Sequence, residues 1–166
     1  GALRQFIPGM LGPSDFRKNL SYLLDLYSDQ QYALKNLIEL RLPIEFGPAD
    51  ESALRNFVET GNLEKLASGP ADLLRKLHPP AAASVRHYLG VFLDYAQKSP
   101  RPFDFRDCSV GNLIFAGAYL ENGQSFNSAA LLMSRLVDSQ AVLVNVSKGE
   151  NRILVGLKQD GQLLPR

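Results

Sequence analysis

Two short stretches carry residues suited to recognising an anion. In SVGN, residues 109–112, a serine, a glycine and an asparagine open an apolar run. A helix starting there exposes unpaired backbone N–H groups at the positive end of its dipole, and a glycine lets a phosphate or carboxylate approach closely. Ser109, Gly111 and Asn112 are the candidate contacts. In GPSDFRKN, residues 12–19, a Gly-Pro loop delivers Ser14, Asp15, Arg17, Lys18 and Asn19 to the start of an amphipathic helix. Arg17 offers a planar fork to phosphate, while Asp15 offers a carboxylate to a hydrated magnesium ion or a hydroxyl. Both stretches also fit ordinary helix starts, with Ser109 and Ser14 or Asp15 as caps and Gly111 packed against a neighbour.

Other reactive side chains are scattered. Cys108 has an arginine near it in sequence but no histidine, so it reads as a spectator thiol, and a single cysteine makes no internal disulfide. His78 precedes a proline at a helix end and His87 falls on the polar side of a helix, so neither is placed as a base. Asp104, Arg106 and Asp107 suit a local ion network beside the SVGN turn. Two histidines and one cysteine give no zinc-ligand spacing, and neither a Ser-His-Asp arrangement nor a carboxylate pair emerges.

Several elements must position these loops. Apolar residues at 16, 20, 23, 24 and 27 mark one face of a helix from Ser14 onward, and a second helix over 30–42 buries Leu34, Leu37, Ile38 and the stem of Arg41 before Pro43 ends it. EFGPADES, residues 45–52, reads as a loop, followed by short helices over 51–60, 62–67 and 71–77. A long helix over 80–97 carries Val85, Tyr88, Leu89, Phe92 and Leu93 on one face. Helices over 111–121, apolar nearly all round, and 125–137 follow, capped by Ser109 and Ser125. Then the period changes: AVLVNV (141–146) and RILVGL (152–157) read as strands, with a turn at Asp160-Gly161. Helices followed by strands predict an α/β chain: a mostly helical lobe over 1–108, with core helices and C-terminal strands over 109–166, in one domain.

Composition narrows the function classes. Eighteen Lys and Arg against seventeen Asp and Glu leave a net charge of +1, with no basic run interleaved with aromatics, so no nucleic-acid partner is expected. The longest charge-free apolar stretch, 113–120, falls far short of the ~20 residues needed to span a bilayer, and no secretory leader opens the chain. A cytoplasmic protein with no membrane partner is expected.

Taken in order, the two loops resemble the CofD-like family, which comprises the 2-phospho-L-lactate transferases of deazaflavin coenzyme synthesis and the YvcK-type gluconeogenesis factors. GALR at 1–4 resembles the family's GRLR segment. GPSDFRKN resembles its PGDIRN loop, with Ser14 where glycine is usual and Lys18 where asparagine is usual. CSVGNLIFAGAYLENGQSFNSA resembles its S-x-GN helix and the amphipathic helix after it, AVLVNVS stands where VLPV is usual, and LKQDGQLL resembles a following hairpin. The resemblance is strongest over 103–146. It implies a Rossmann-like fold to which this chain supplies the helical lobe and some strands. It also implies transfer of a phosphorylated three-carbon acid, of phospho-lactate type, from a nucleotide diphosphate-linked donor to a deazaflavin-type alcohol, with magnesium (Mg) assisting. YvcK-type relatives instead bind a uridine diphosphate sugar without catalysis. By position, Asp15 would organise metal or a hydroxyl, and Ser14, Arg17, Ser109, Gly111 and Asn112 would contact phosphate from a GDP- or UDP-type ligand. The family's upstream glycine-rich loop is not among these residues, so this segment alone is not expected to catalyse; a homo-oligomer is left open.

Overall fold

The computed structural model describes residues 2–24 and 28–139, together with the single positions 143, 159 and 162. Eight helices run through the described residues: α1 (Ala2–Phe6), α2 (Ser14–Tyr22), α3 (Asp29–Glu39), α4 (Pro48–Thr60), α5 (Ser68–Arg75), α6 (Pro79–Lys98), α7 (Val110–Glu121) and α8 (Phe126–Leu136). The expectation of an α/β, Rossmann-like fold is corrected: the described part is helical, with no strand and no sheet among its residues. The expected strands at 141–146 and 152–157, with the turn at 160–161, lie outside the described residues. No helix among the described residues is long and apolar enough to cross a membrane.

α7 is the axis of the packing because its sequence, VGNLIFAGAYLE, offers solvent almost nothing. Nine of its twelve residues are buried. A helix apolar on every side needs neighbours on every side, and α2, α3, α6 and α8 supply them. The largest of these interfaces is with α6, whose Val85, Leu89, Phe92 and Leu93 form the apolar stripe expected from the 3.6-residue period. α4 packs against α6, and α5 against α3.

Local chemistry sets the boundaries. Ser28 caps α3 and Ser125 caps α8, each accepting from the amide three residues on, at 3.4 and 3.3 Å. α4 starts inside the expected 45–52 loop, with Pro48 in its first turn and the Gly47 N–H donating to Asp50 Oδ2 at 2.9 Å. The expected helix over 62–67 is a turn instead: Asn62 Oδ1 accepts from the Glu64 N–H at 2.8 Å, an Asx arrangement that competes with helix formation. His78 occupies the residue before α6 rather than closing α5, and the His87 ring meets Glu121 Oε1 at 2.7 Å, tying α6 to α7.

α3 ends at Glu39, short of Pro43, and residues 40–42 turn extended to meet 108–110. Arg41 and Ser109 form an antiparallel bridge, flanked by Leu42 N–H to Cys108 O at 2.9 Å and Val110 N–H to Leu40 O at 2.8 Å. This pairing fixes the start of α7 relative to the end of α3. The segment leading into it is held by an aromatic cluster. Phe103 lies 4.8 Å from Phe6 and 5.0 Å from Phe92, centroid to centroid, and 4.9 Å from Phe105, largely edge to face.

Candidate functional site

The two loops meet. Asn112 Nδ2 donates to Ser14 Oγ at 3.2 Å, across 98 residues of sequence, so the first turns of α2 and α7 form one wall. Beside it lies a cleft of about 320 Å³ whose lining includes Arg4, Ser14, Arg41, Arg106, Ser109 and Asn112. Gly12, Ser14 and Arg4 also border a neighbouring depression of about 500 Å³, lined further by Asp15, Phe16 and Asn19. The 12–14 loop is thus a ridge between two hollows, with Asp15 on one side and Arg41 on the other.

The cleft is rich in cations, each placed differently. Arg41, expected with a buried stem inside a helix, is exposed; its Nη1 donates to Asp107 O at 2.7 Å and lies 2.9 Å from Asp107 Oδ1. That double contact holds Asp107 at φ 55°, a left-handed conformation that aspartate tolerates better than most side chains. Arg106 forms a two-pronged pair with Asp104, at 2.9 and 2.8 Å, and these hydrogen bonds lower the Asp104 carboxyl to about 2. The ion network expected from 104–107 forms only in part: Arg106 pairs with Asp104, while Asp107 pairs with Arg41.

Arg17 behaves unlike a surface arginine. Its side chain is 6% exposed, and its Nε is buried without a hydrogen-bond partner among the described residues. Burial lowers its guanidinium pKa; Glu39 opposes that shift, and Arg41 adds to it. It does not line the cleft. It follows Pro13, a cleft residue, by one turn, its N–H donating to Pro13 O at 2.9 Å. Asn112 shows the complementary feature: its Oδ1 is a buried acceptor with no partner among the described residues. An orphaned donor and an orphaned acceptor on two touching helices are unusual in a folded interior.

Ser109 borders the cleft but Gly111 does not, and the contacts of both are to the end of α3. Ser109 is 2% exposed and does not cap α7; its hydroxyl donates to Ile38 O at 2.7 Å. Gly111 faces the same Ile38 backbone, which a Cβ at this position would strike. The Val110 and Asn112 amides are already bonded, to Leu40 O and Ser109 O, so the start of α7 offers few free donors. The open helix start is that of α2, preceded by Pro13 with no side-chain cap. Sequence reasoning missed Arg41 as a cleft residue, because the break at Leu40 depends on pairing with a segment nearly seventy residues away.

Among the described residues no group of three or more His, Cys, Asp or Glu could hold a metal. Among the described residues Asp15 is the one carboxylate bordering its depression. That donor set suits a hydrated magnesium ion held mainly by a ligand's own phosphates, and not a resident protein-built site.

Cys108 is unsuited to nucleophilic work. Burial, aided by the Asp104 and Asp107 carboxylates, raises its thiol from 9.0 to about 11. At pH 8 the thiolate fraction falls about a hundredfold, while the more basic sulfur regains nearly tenfold in nucleophilicity. Iodoacetamide is therefore expected to alkylate Cys108 about tenfold more slowly than a small-molecule thiol, measured by mass spectrometry over a time course. An equal rate would show the thiol to be open and unperturbed. A groove of about 650 Å³ beside the start of α6, lined by His78 and Arg135 among others, shares no residue with either depression. No family model, curated protein or solved structure matches this chain.

Proposed function

We propose that the chain contributes a CofD-like site for a phosphorylated, nucleotide-linked small molecule, seated across the 12–14 ridge. The observation that carries this reading is the Ser14–Asn112 hydrogen bond, which joins the two loops that resemble that family into one wall beside Arg41 and Arg106. Arginine forks and an uncapped α2 start are complementary to phosphate. The acid transfer expected of phospho-lactate transferases would place the diphosphate over the cleft and Asp15 beside the second hollow. There Asp15 would hold the metal's water shell or orient the attacking hydroxyl. Magnesium would neutralise charge on the departing phosphate.

A second reading, nucleotide-sugar binding without turnover, is favoured by one feature. Asp15 and Arg41 border different hollows, so among the described residues no carboxylate free of an arginine partner lines the arginine cleft itself. Both readings require binding. Guanosine or uridine diphosphate at a hundredfold excess over Kd would add about 2.7 kcal/mol, a rise of roughly 5–10 °C in Tm. Arg41→Met and Asn112→Ala are expected to abolish that rise. Product formation in the intact protein, lost in Asp15→Asn, separates transferase from regulator; no thermal shift with either nucleotide at millimolar concentration would sink both.

A further inference from the structure

The bridge between 40–42 and 108–110 has two faces of opposite chemistry. Arg41 and Ser109 face the polar cleft, whereas Leu42 and Val110 line a separate hollow of about 80 Å³ enclosed by α3, α4, α5 and α6. Its walls are aliphatic and aromatic, with Leu54, Phe57, Leu74 and Val85 contributing from three helices. Among the described residues only two that line it are charged. Asp50 is engaged at the start of α4, accepting from the Gly47 N–H at 2.9 Å. Lys65 is exposed and enters no ion pair among the described residues, which leaves one uncommitted ammonium on an apolar hollow.

We propose that this hollow binds a short, unphosphorylated aliphatic carboxylate, its chain among Leu54, Leu74 and Val85 and its carboxylate against Lys65. The inference rests on the hollow and Lys65 alone, independently of any reading of the arginine cleft. Volume sets the length. An apolar cavity of roughly 150 Å³ accommodates benzene, so about half that volume takes a chain of about three or four carbons. Charge sets the head group, since among the described residues Lys65 is the only lining group left to neutralise an anion. A neutral alkanol gains the burial without the ion pair. An acid longer than the hollow gains nothing further from its extra carbons.

The test is a methyl-NMR titration of the intact chain with acetate, propionate, butyrate and hexanoate and with the matched alcohols. Saturable shifts confined to the methyls that line the hollow, those of Leu54, Leu74 and Val85 among them, are expected, with Kd in the millimolar range. Each methylene should strengthen binding about fourfold until the hollow is filled, after which affinity levels off. Lys65→Met should weaken butyrate about tenfold and leave butanol unchanged. Ala53→Leu, which fills the hollow from α4, should abolish binding with the helical circular-dichroism spectrum retained. Should that variant fail to fold, Ala67→Leu blocks the hollow from the start of α5. Equal affinity for butyrate and butanol, or shifts surviving a folded blocking variant, would overturn the proposal. So would the absence of saturable shifts at tens of millimolar acid.

Discussion

Replacing Gly117 with alanine is expected to lower the melting temperature by about 10 °C. Gly117 lies mid-way along α7, where α7 and α6 approach so closely that a Cβ would strike the Tyr88 carbonyl and the Cα behind it. Two effects oppose each other. Alanine improves on glycine in a helix interior by about 1 kcal/mol. Overpacking costs about 1–3 kcal/mol where side chains can rearrange, and more where they cannot. The obstacle here is backbone, so α6 and α7 must part along their shared interface, the largest in the fold. The clash wins, by roughly 3 kcal/mol. Gly90→Ala in α6 is the contrast, because a Cβ there meets the Val58 Cγ1 methyl, a side-chain end that can turn aside where a backbone carbonyl cannot; its melting temperature should fall far less. Thermal melts followed by circular dichroism read both variants. A Gly117→Ala melt within a degree of the parent would mean that the two helices are not in backbone contact.

That close approach shows where sequence reading succeeds. The burial of α7 was legible because an apolar helix with no polar face has no alternative. The stripe of α6 and the Ser125 cap were legible because both are local and periodic. What escaped was decided at long range. Ser109 has the composition and position of a cap, yet Ile38 O, 71 residues away, takes its hydroxyl, because the 40–42 bridge brings the end of α3 against the start of α7. The same bridge ends α3 early and turns Arg41 outward into the cleft, which no 3.6-residue pattern encodes. The Ser14–Asn112 contact was visible only as two loops whose order resembled one family. Their spacing alone carried no such information.

The behaviour of Arg17 distinguishes a binding device from a packing accident. A buried guanidinium with an unpartnered Nε is a net cost to folding, and its lowered pKa expresses that cost. Methionine has a similar length and no charge to desolvate. Arg17→Met is therefore expected to leave stability unchanged or raise it by about 1 kcal/mol, read as a shift of a few degrees in Tm. If the cation instead serves the adjacent cleft through its field on a bound anion at the α2 start, the same variant should weaken diphosphate binding by about tenfold, equivalent to about 1.4 kcal/mol. Opposite signs for stability and affinity in one substitution are the signature of a residue kept for a ligand. Arg17→Lys sharpens the test: it restores the charge without the planar fork, and because a field acts without direct contact it should recover most of the affinity. A variant that loses stability by several kcal/mol while binding diphosphate normally would assign Arg17 to the core, leaving Arg4, Arg41 and Arg106 as the cations of the cleft.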